Sequence, residues 1–514
     1  MSSENSKLSP LIVIVSNRGP FQFETMPDGT FKSKRGTGGL VTALMSLAQK
    51  MDVLWIATAL SESDKAWSQA QTETTPLVDG IKMRLVIADE DTYNQYYSTI
   101  ANPLLWFIQH SMWDMTRSPV IDVNTWKAWN EGYTPMNELF ADAVAECIAD
   151  ELKKNERPII VFPQDYHLYL FPKFLRERVG YGVQIQPFVH IPWPGIDGWR
   201  ILPREMREAI LSGMLYSDRI GFQTKRDAFN FVQTARFYLE DAHTYGARDS
   251  IVYQERKVHA TNYPISIDSD AIEQLIHEPL AHLYKGQMLS QIGDRKLILR
   301  VDRVEPSKNI LRGLQAYKAM LEAHPEHIGK VQKLALLVPS RMEVDEYQTY
   351  LRDIMAEAGM INAQFSSEFW EPVRVIVGEN YHRALAAMQL YNVLLVNPLA
   401  DGMNLVAKEG VLVNQRDGVL VLSEHAGAFY ELGEYALIVS PFDVYSTANA
   451  LHDALTMPED ERKRRAEALR AIVQNSNVHQ WFERQVEDAL NSHANKSPTS
   501  STLEAIISAD DNTA

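Results

Sequence analysis

The chain has 514 residues, with 50 Lys and Arg against 66 Asp and Glu, a formal net charge of −16 at pH 7, 45% apolar residues and one cysteine, Cys147. At roughly 150 residues per domain this length predicts two or three domains, each able to bury its own core. The composition excludes a largely disordered chain, an internal disulfide, a cysteine-based metal site and, through its acidic balance, a nucleic-acid backbone binder, while leaving room for a local basic pocket. Residues 1–10 lack the basic and apolar regions of a secretory leader, and the apolar run 11–15 is too short to span a bilayer. A cytoplasmic protein with no membrane partner is therefore expected.

Short apolar, β-branched runs recur at 11–16, 53–57, 158–162, 183–190, 296–301, 333–338, 373–377, 392–396 and 419–422, separated by helix-length segments. This rhythm predicts buried parallel strands and an α/β class. The runs form two sets, divided by a polar, helix-like stretch at 261–294, and we place the interdomain linker at Tyr263 to Asp268. Two Rossmann-like, doubly wound domains, 1–266 and 267–475, would face a central cleft with the carboxyl ends of their sheets, where open α/β sheets bind ligands. After a charged helix at 459–474, Trp481, Phe482, Val486 and Leu490 stand at helical spacing. A C-terminal helix over 476–495 should pack back on the N-terminal domain. The Ser-, Thr-, Asp- and Asn-rich segment 496–514 reads as a disordered tail.

No Walker A motif, strand-embedded G-x-G-x-x-G or H-E-x-x-H occurs. Polar clusters instead follow the strands. Ser16-Asn17-Arg18-Gly19-Pro20 and then Gly36-Thr37-Gly38-Gly39-Leu40 offer backbone N–H groups and an arginine to an anion, or are plain turn glycines and a surface arginine. In Gln164-Asp165-Tyr166-His167-Leu168, Asp165 either accepts sugar hydroxyls or caps the next helix. His190, followed by Ile191-Pro192-Trp193-Pro194, is a core histidine or the start of a functional loop fixed by its prolines. Arg303 and Lys308, five apart at a strand-to-helix turn, can converge on a diphosphate, and Arg341 follows the next strand. In Asn397 to Gly410, Gly402 allows close backbone approach and the N–H groups of Met403, Asn404, Leu405 and Val406 open a helix towards a phosphate. Asp401 is a helix cap or a hydroxyl acceptor, Glu409 could hold a ribose diol, and 423–428 completes the rim. Five such motifs at five strand ends, with cations for phosphates, carboxylates for hydroxyls and no Asp-x-Asp metal cluster among them, are the chemistry of a nucleotide-sugar transferase.

These motifs, in this order from about Ile12 to Leu490, resemble the trehalose-6-phosphate synthase family, the retaining GT-B glycosyltransferases of family 20; the stretch Asp-Gly-Met-Asn-Leu-Val-Ala-Lys-Glu at 401–409 is the most specific part. The resemblance implies a GT-B fold and transfer of glucose from UDP-glucose to glucose 6-phosphate. It assigns Arg18, Tyr97, Trp106, Asp165 and Arg341 to the acceptor. Gly38, Gly39, His190, Arg303, Lys308, Asp401, Gly402, Met403, Asn404, Leu405, Val406 and Glu409 go to the donor. Asp165, His190, Arg303, Lys308 and Asp401 form the catalytic set. No metal or other cofactor is implied, the partners are small molecules, and a homo-oligomer is compatible with the sequence. Three features depart from the family pattern: Gln164 stands for its usual His, Glu305-Pro306-Ser307-Lys308-Asn309 for Asp-Tyr-Ser-Lys-Gly, and the loop after His190 carries Trp193 and Gly195. The Pro-x-Lys-Asn and His-Ile-Pro-Trp-Pro segments are similar to validoxylamine phosphate synthase-like members. Another acceptor (a pseudo-sugar phosphate or glycerol phosphate), a GDP or ADP donor, and a non-catalytic sugar-phosphate sensor are the alternatives.

Overall fold

All six positions of the strand Leu11–Ser16 are buried, so it lies inside a sheet covered on both faces. It pairs in parallel with Val53–Thr58 and with Ile159–Pro163. The computed structural model describes residues 9–36, 51–154, 156–245, 248–342 and 344–494; Gly38, Gly39 and the segment 496–514 lie outside them. The first sheet runs Leu77–Val78, Ile81–Val86, Val53–Thr58, Leu11–Ser16, Ile159–Pro163, Gln184–Ile185, parallel except at the Leu77–Val78 edge. A second group, Phe188–Val189, Arg219–Phe222, Arg256–Asn262, Ser250–Tyr253 and Ala242–His243, joins it through a parallel bridge from Gln164 to Phe188.

The single strand expected over 183–190 is therefore two short pieces. Pro187 has no N–H for the ladder, and the chain steps across it from one group to the other. Six other expected strands shift by one or two residues at their ends, to Val53–Thr58, Ile159–Pro163, Lys296–Arg303, Val331–Val338, Val393–Val396 and Val419–Ser423.

The sheet of the second half runs Val373–Val377, Val331–Val338, Lys296–Arg303, Val393–Val396, Val419–Ser423, Leu437–Val439, with every pair parallel. In chain order that is third, second, first, fourth, fifth, sixth, the doubly wound order. Its winding reverses between Lys296–Arg303 and Val393–Val396. In the first half the reversal lies between Leu11–Ser16 and Ile159–Pro163. A crevice opens beyond the carboxyl ends of the strands at each reversal.

The last described helix, Val478–Ala494, returns to the first half. Trp481 meets Phe188 edge-on at 5.1 Å and Phe482 meets Phe162 at 4.9 Å. Trp481 Nε1 donates to the Tyr263 carbonyl at 3.0 Å, and Tyr263 OH donates to Asp488 at 2.5 Å. Each large buried ring contributes about 2 kcal/mol of hydrophobic stabilisation, enough to hold the helix on the first half. Cys147, on the helix Thr134–Lys154, packs against the core that includes Val13, Val15 and Val161, and burial pushes its thiol up to about 12. Among the described residues no helix is long and apolar enough to cross a membrane.

Candidate active site

The end of Leu11–Ser16 is held by its own polar groups. Trp55 Nε1 donates to Ser16 Oγ at 2.8 Å, and Ser16 Oγ donates to the Arg18 carbonyl at 2.7 Å, turning the chain outward with Arg18 exposed. Asn17 Nδ2 donates to Tyr93 OH at 3.3 Å; Tyr93 stacks on Tyr97 at 5.6 Å, and Tyr97 on His167 at 5.8 Å. Arg341, at φ +46°, spreads its guanidinium over the Trp106 ring at 4.1 Å and donates to Tyr347 OH at 3.0 Å and Tyr166 OH at 3.2 Å. Tyr97, Trp106 and Arg341 are thus gathered around Tyr166 and His167. Burial lowers the His167 pKa to about 3, with the Arg341 and Arg18 charges acting in the same direction, so this cluster keeps a neutral imidazole beside two cations.

Glu305 joins this group to the loop after Lys296–Arg303. Its side chain is fully buried, and its Oε1 accepts from Arg341 Nη1 and Ser340 Oγ and forms an ion pair with Arg303 Nη1, each at 2.9 Å. Burial alone would raise its pKa; the charges of Arg303, Arg341 and Lys308 overcome that and hold it at about 2. Lys308 Nζ donates to Asp401, which also accepts from Asn404 Nδ2 at 3.0 Å. Beneath the loop lies Arg300, with no exposed surface: Nη1 donates to the Lys308 carbonyl at 2.9 Å and Nη2 to Asn397 Oδ1. Asn309, left-handed at φ +59°, donates to the carbonyls of Asn397 and Pro441. The Lys308 and Asn397 loops are therefore braced by a buried guanidinium and an amide.

The two halves touch at Gly402. A Cβ built there would stand 1.7 Å from the His190 carbonyl oxygen, so only glycine lets these backbones meet. His190 N–H donates to Asp165 Oδ1 at 3.1 Å, and Asp165 N–H donates to the Phe188 carbonyl at 2.7 Å. Those bonds hold Asp165 at φ +69°, ψ −178°, a region that L residues rarely adopt. Burial raises its carboxyl pKa to about 7 against the His190, Tyr166 and Ile191 backbone N–H groups.

Several expectations change here. Asp165 and Asp401 cap no helix by their side chains; the cap of Leu405–Val413 is Asn404, at φ +75°, accepting from Ala407 N–H at 3.1 Å. A carboxylate beside Lys308 serves better as its counter-ion than as a cap. Arg303 and Lys308, read as able to converge on a diphosphate, and Arg341 are each paired here with Glu305 or Asp401. Glu409 accepts from Tyr381 OH at 3.3 Å, and burial raises its pKa to about 7. Met403, Leu405 and Val406 lie in or beside the first turn of that helix, as expected.

Residues the sequence reading missed are Glu305, Arg300, Gln223 and Lys408. Lys408, nearly fully buried, donates to the Ile265 carbonyl and to Glu431, both at 2.8 Å. The available signal was a lone charge within an apolar run, as at Arg300. Among the described residues, one group of His and acidic side chains has ligand atoms within 4.8 Å, namely His324, Glu326 and His452. The His324 and His452 rings stack at 3.5 Å and 13°, which keeps their lone pairs in parallel planes instead of aiming them at one ion.

The model of glycosyltransferase family 20 matches residues 10–491. The chain belongs to this family. An alpha,alpha-trehalose-phosphate synthase (UDP-forming) of Botryotinia fuckeliana is 31% identical over 512 residues, covering 97% of this chain and 93% of that protein. An E. coli structure bound with UDP-2-fluoro glucose matches with a TM-score of 0.80 at 28% identity, covering 93% of this chain and 98% of that one. An alpha,alpha-trehalose-phosphate synthase (UDP-forming) of Burkholderia xenovorans, in complex with glucose-6-phosphate, matches with a TM-score of 0.79 at 26% identity, covering 93% and 99%. The fold of this family 20 chain is GT-B, two Rossmann-like domains facing one cleft.

Proposed function

We propose that the protein is a retaining glycosyltransferase that moves glucose from UDP-glucose to glucose 6-phosphate, giving α,α-trehalose 6-phosphate and UDP. The observation that carries this reading is the buried carboxylate of Glu305, which binds Arg303 at one winding reversal and Arg341, over Trp106, facing the other. Two cationic groups suited to phosphates therefore flank one cleft. The relatives support it, because the E. coli structure holds a UDP-sugar and the B. xenovorans enzyme holds glucose-6-phosphate.

On this reading Arg18, Tyr97, Trp106 and Arg341 hold the acceptor, with Asp165 at its hydroxyls. Arg303 and Lys308 meet the diphosphate, together with Gly38, Gly39 and the backbone from Gly402 to Val406. Asp401 and His190 contact the glucosyl unit, and Glu409 the ribose. The acceptor hydroxyl attacks the anomeric carbon from the face that UDP leaves. That carbon–oxygen bond forms as the bond to phosphate breaks, and the departing phosphate oxygen takes the hydroxyl proton. The protein supplies position and positive charge. Transfer should then continue in EDTA; turnover lost in chelator and restored by Mg²⁺ would count against this division of labour.

The decisive experiment incubates the protein with UDP-, GDP- and ADP-glucose against glucose 6-phosphate, glycerol phosphate and a pseudo-sugar phosphate, reading nucleotide release and product mass. UDP release and a disaccharide phosphate are expected from UDP-glucose with glucose 6-phosphate. Product only with another acceptor would favour the related transferase that Gln164 and the Pro306–Asn309 loop suggest. Tight sugar-phosphate binding with no product from any pair would favour a sensor.

A further inference from the structure

A row of hydrogen bonds runs through His190, and each has only one available direction. At one end, Ile265 N–H donates to Gln223 Oε1 at 2.9 Å. A backbone N–H cannot accept, so the oxygen end of the Gln223 amide is fixed, and its NH₂ faces His190 Nδ1 at 3.3 Å. At the other end, Gln164 Nε2 donates to the Phe162 carbonyl at 3.0 Å. A carbonyl cannot donate, so Gln164 Oε1 is the atom 2.9 Å from His190 Nε2. Between these two anchors the imidazole has one consistent state: Nδ1 accepts, and Nε2 carries the proton. The ring is packed by Phe188 at 4.5 Å and Trp481 at 6.1 Å, and the backbone of the same residue touches Asp165 and Gly402.

We infer that Gln164 and Gln223 are positioning residues that hold His190 as its Nε2–H tautomer and, through Ile265, tie the ring to the segment joining the two domains. This rests on the proposed transferase reading, in which His190 faces the donor sugar. A histidine that orients a substrate needs one protonated nitrogen in a fixed place, because the two tautomers present opposite polarity at each ring edge. Burial disfavours the charged ring and lowers its pKa to about 3, so the choice at neutral pH is between tautomers. Gln164 stands where the family pattern has His, and it supplies an acceptor oxygen whose orientation the Phe162 carbonyl fixes.

The test is Gln223→Glu in the full-length protein. The carboxylate keeps an oxygen for Ile265 N–H and changes the group facing Nδ1 from donor to acceptor. Long-range ¹⁵N–¹H NMR on histidine-labelled protein, with the His190 signal identified by its loss in His190→Asn, reads which nitrogen is protonated. In the parent protein the proton is expected on Nε2; in Gln223→Glu, Nδ1 gains one. The expected kcat falls about tenfold to a hundredfold, the scale for losing a partner that sets a histidine's tautomer, with KM for the nucleotide sugar changed by less than about threefold. Gln164→Leu serves as a second variant: Gln223 still points its donor at Nδ1, so the proton should remain on Nε2 while kcat falls. A parent spectrum with the proton on Nδ1, or Gln223→Glu with an unmoved proton and unchanged kcat, overturns the inference. The spectrum needs no substrate, so failure of the parent protein to transfer glucose would strike the proposed function separately.

Discussion

Gly402→Ala adds one methyl group where the two halves meet. The new Cβ would lie 1.7 Å from the His190 carbonyl oxygen, 2.8 Å from its carbon and 3.2 Å from Ile191 Cα. All three atoms are backbone, so no side-chain rotation relieves the clash. A carbon and a carbonyl oxygen approach to roughly 3.3 Å, so the facing loops must part by about 1.6 Å. That displaces Asp401 and the opening of Leu405–Val413 relative to Asp165 and His190. Misplacement by ~1 Å costs about a hundredfold in rate, equivalent to ~2.7 kcal/mol of barrier. The glycine is not in the left-handed region, so alanine carries no left-handed backbone penalty, and the loss of unfolding stability should be the overpacking cost alone, about 1–3 kcal/mol, which leaves the fold intact. Steady-state UDP release gives kcat, and urea unfolding gives stability. A variant with kcat within threefold of the parent, or one that loses activity only because it unfolds, would refute the claim that this contact sets the catalytic geometry.

Arg303→Ala should lower kcat/KM by about 3 kcal/mol, because a cleft arginine stabilises charge on the leaving diphosphate; unchanged turnover in steady-state kinetics would remove it from the site. Glu305, held at about 2 against an ordinary 4.5, contributes stability that is fully present above pH ~4.5 and is lost as pH falls towards ~2. The difference between the parent and Glu305→Gln, on the order of 3 kcal/mol at neutral pH, should shrink across that window in urea titrations, and a constant difference would contradict the pairing. Arg300→Met should cost about 3–5 kcal/mol, because Asn397 and the Lys308 carbonyl lose a buried partner. Arg300→Lys should not rescue it, since one ammonium cannot span both acceptors; denaturation curves with parental midpoints would show that the brace is dispensable.

The strand ends were legible because a strand buried on both faces must be nearly all apolar, which makes the first polar residues after it conspicuous. This exposed Arg18, Asp165, His190, Arg303 and Asp401 at once. Strands whose runs carry charge, such as Ile81–Val86, Arg219–Phe222 and Arg256–Asn262, did not stand out. Nor did the antiparallel hairpin Phe21–Thr25 with Phe31–Arg35, although Pro27-Asp28-Gly29 is a turn signal between alternating segments. Pairing was the least legible. Nothing local to Glu305 says that it meets an arginine 36 residues away, and nothing near Gln223 says that it faces His190. Such partners are set by which loops the winding reversal brings together.

Ile265 hydrogen-bonds both ways from the joining segment. Its N–H reaches Gln223 and hence His190, while its carbonyl takes the ammonium of Lys408, next to Glu409 on the helix that faces the cleft. A swing of the domains about this segment would load both bonds at once, like a bearing shared by two shafts. Ile265→Pro would cut the N–H connection and spare the carbonyl, offering a way to loosen one half of the site while the other stays tethered.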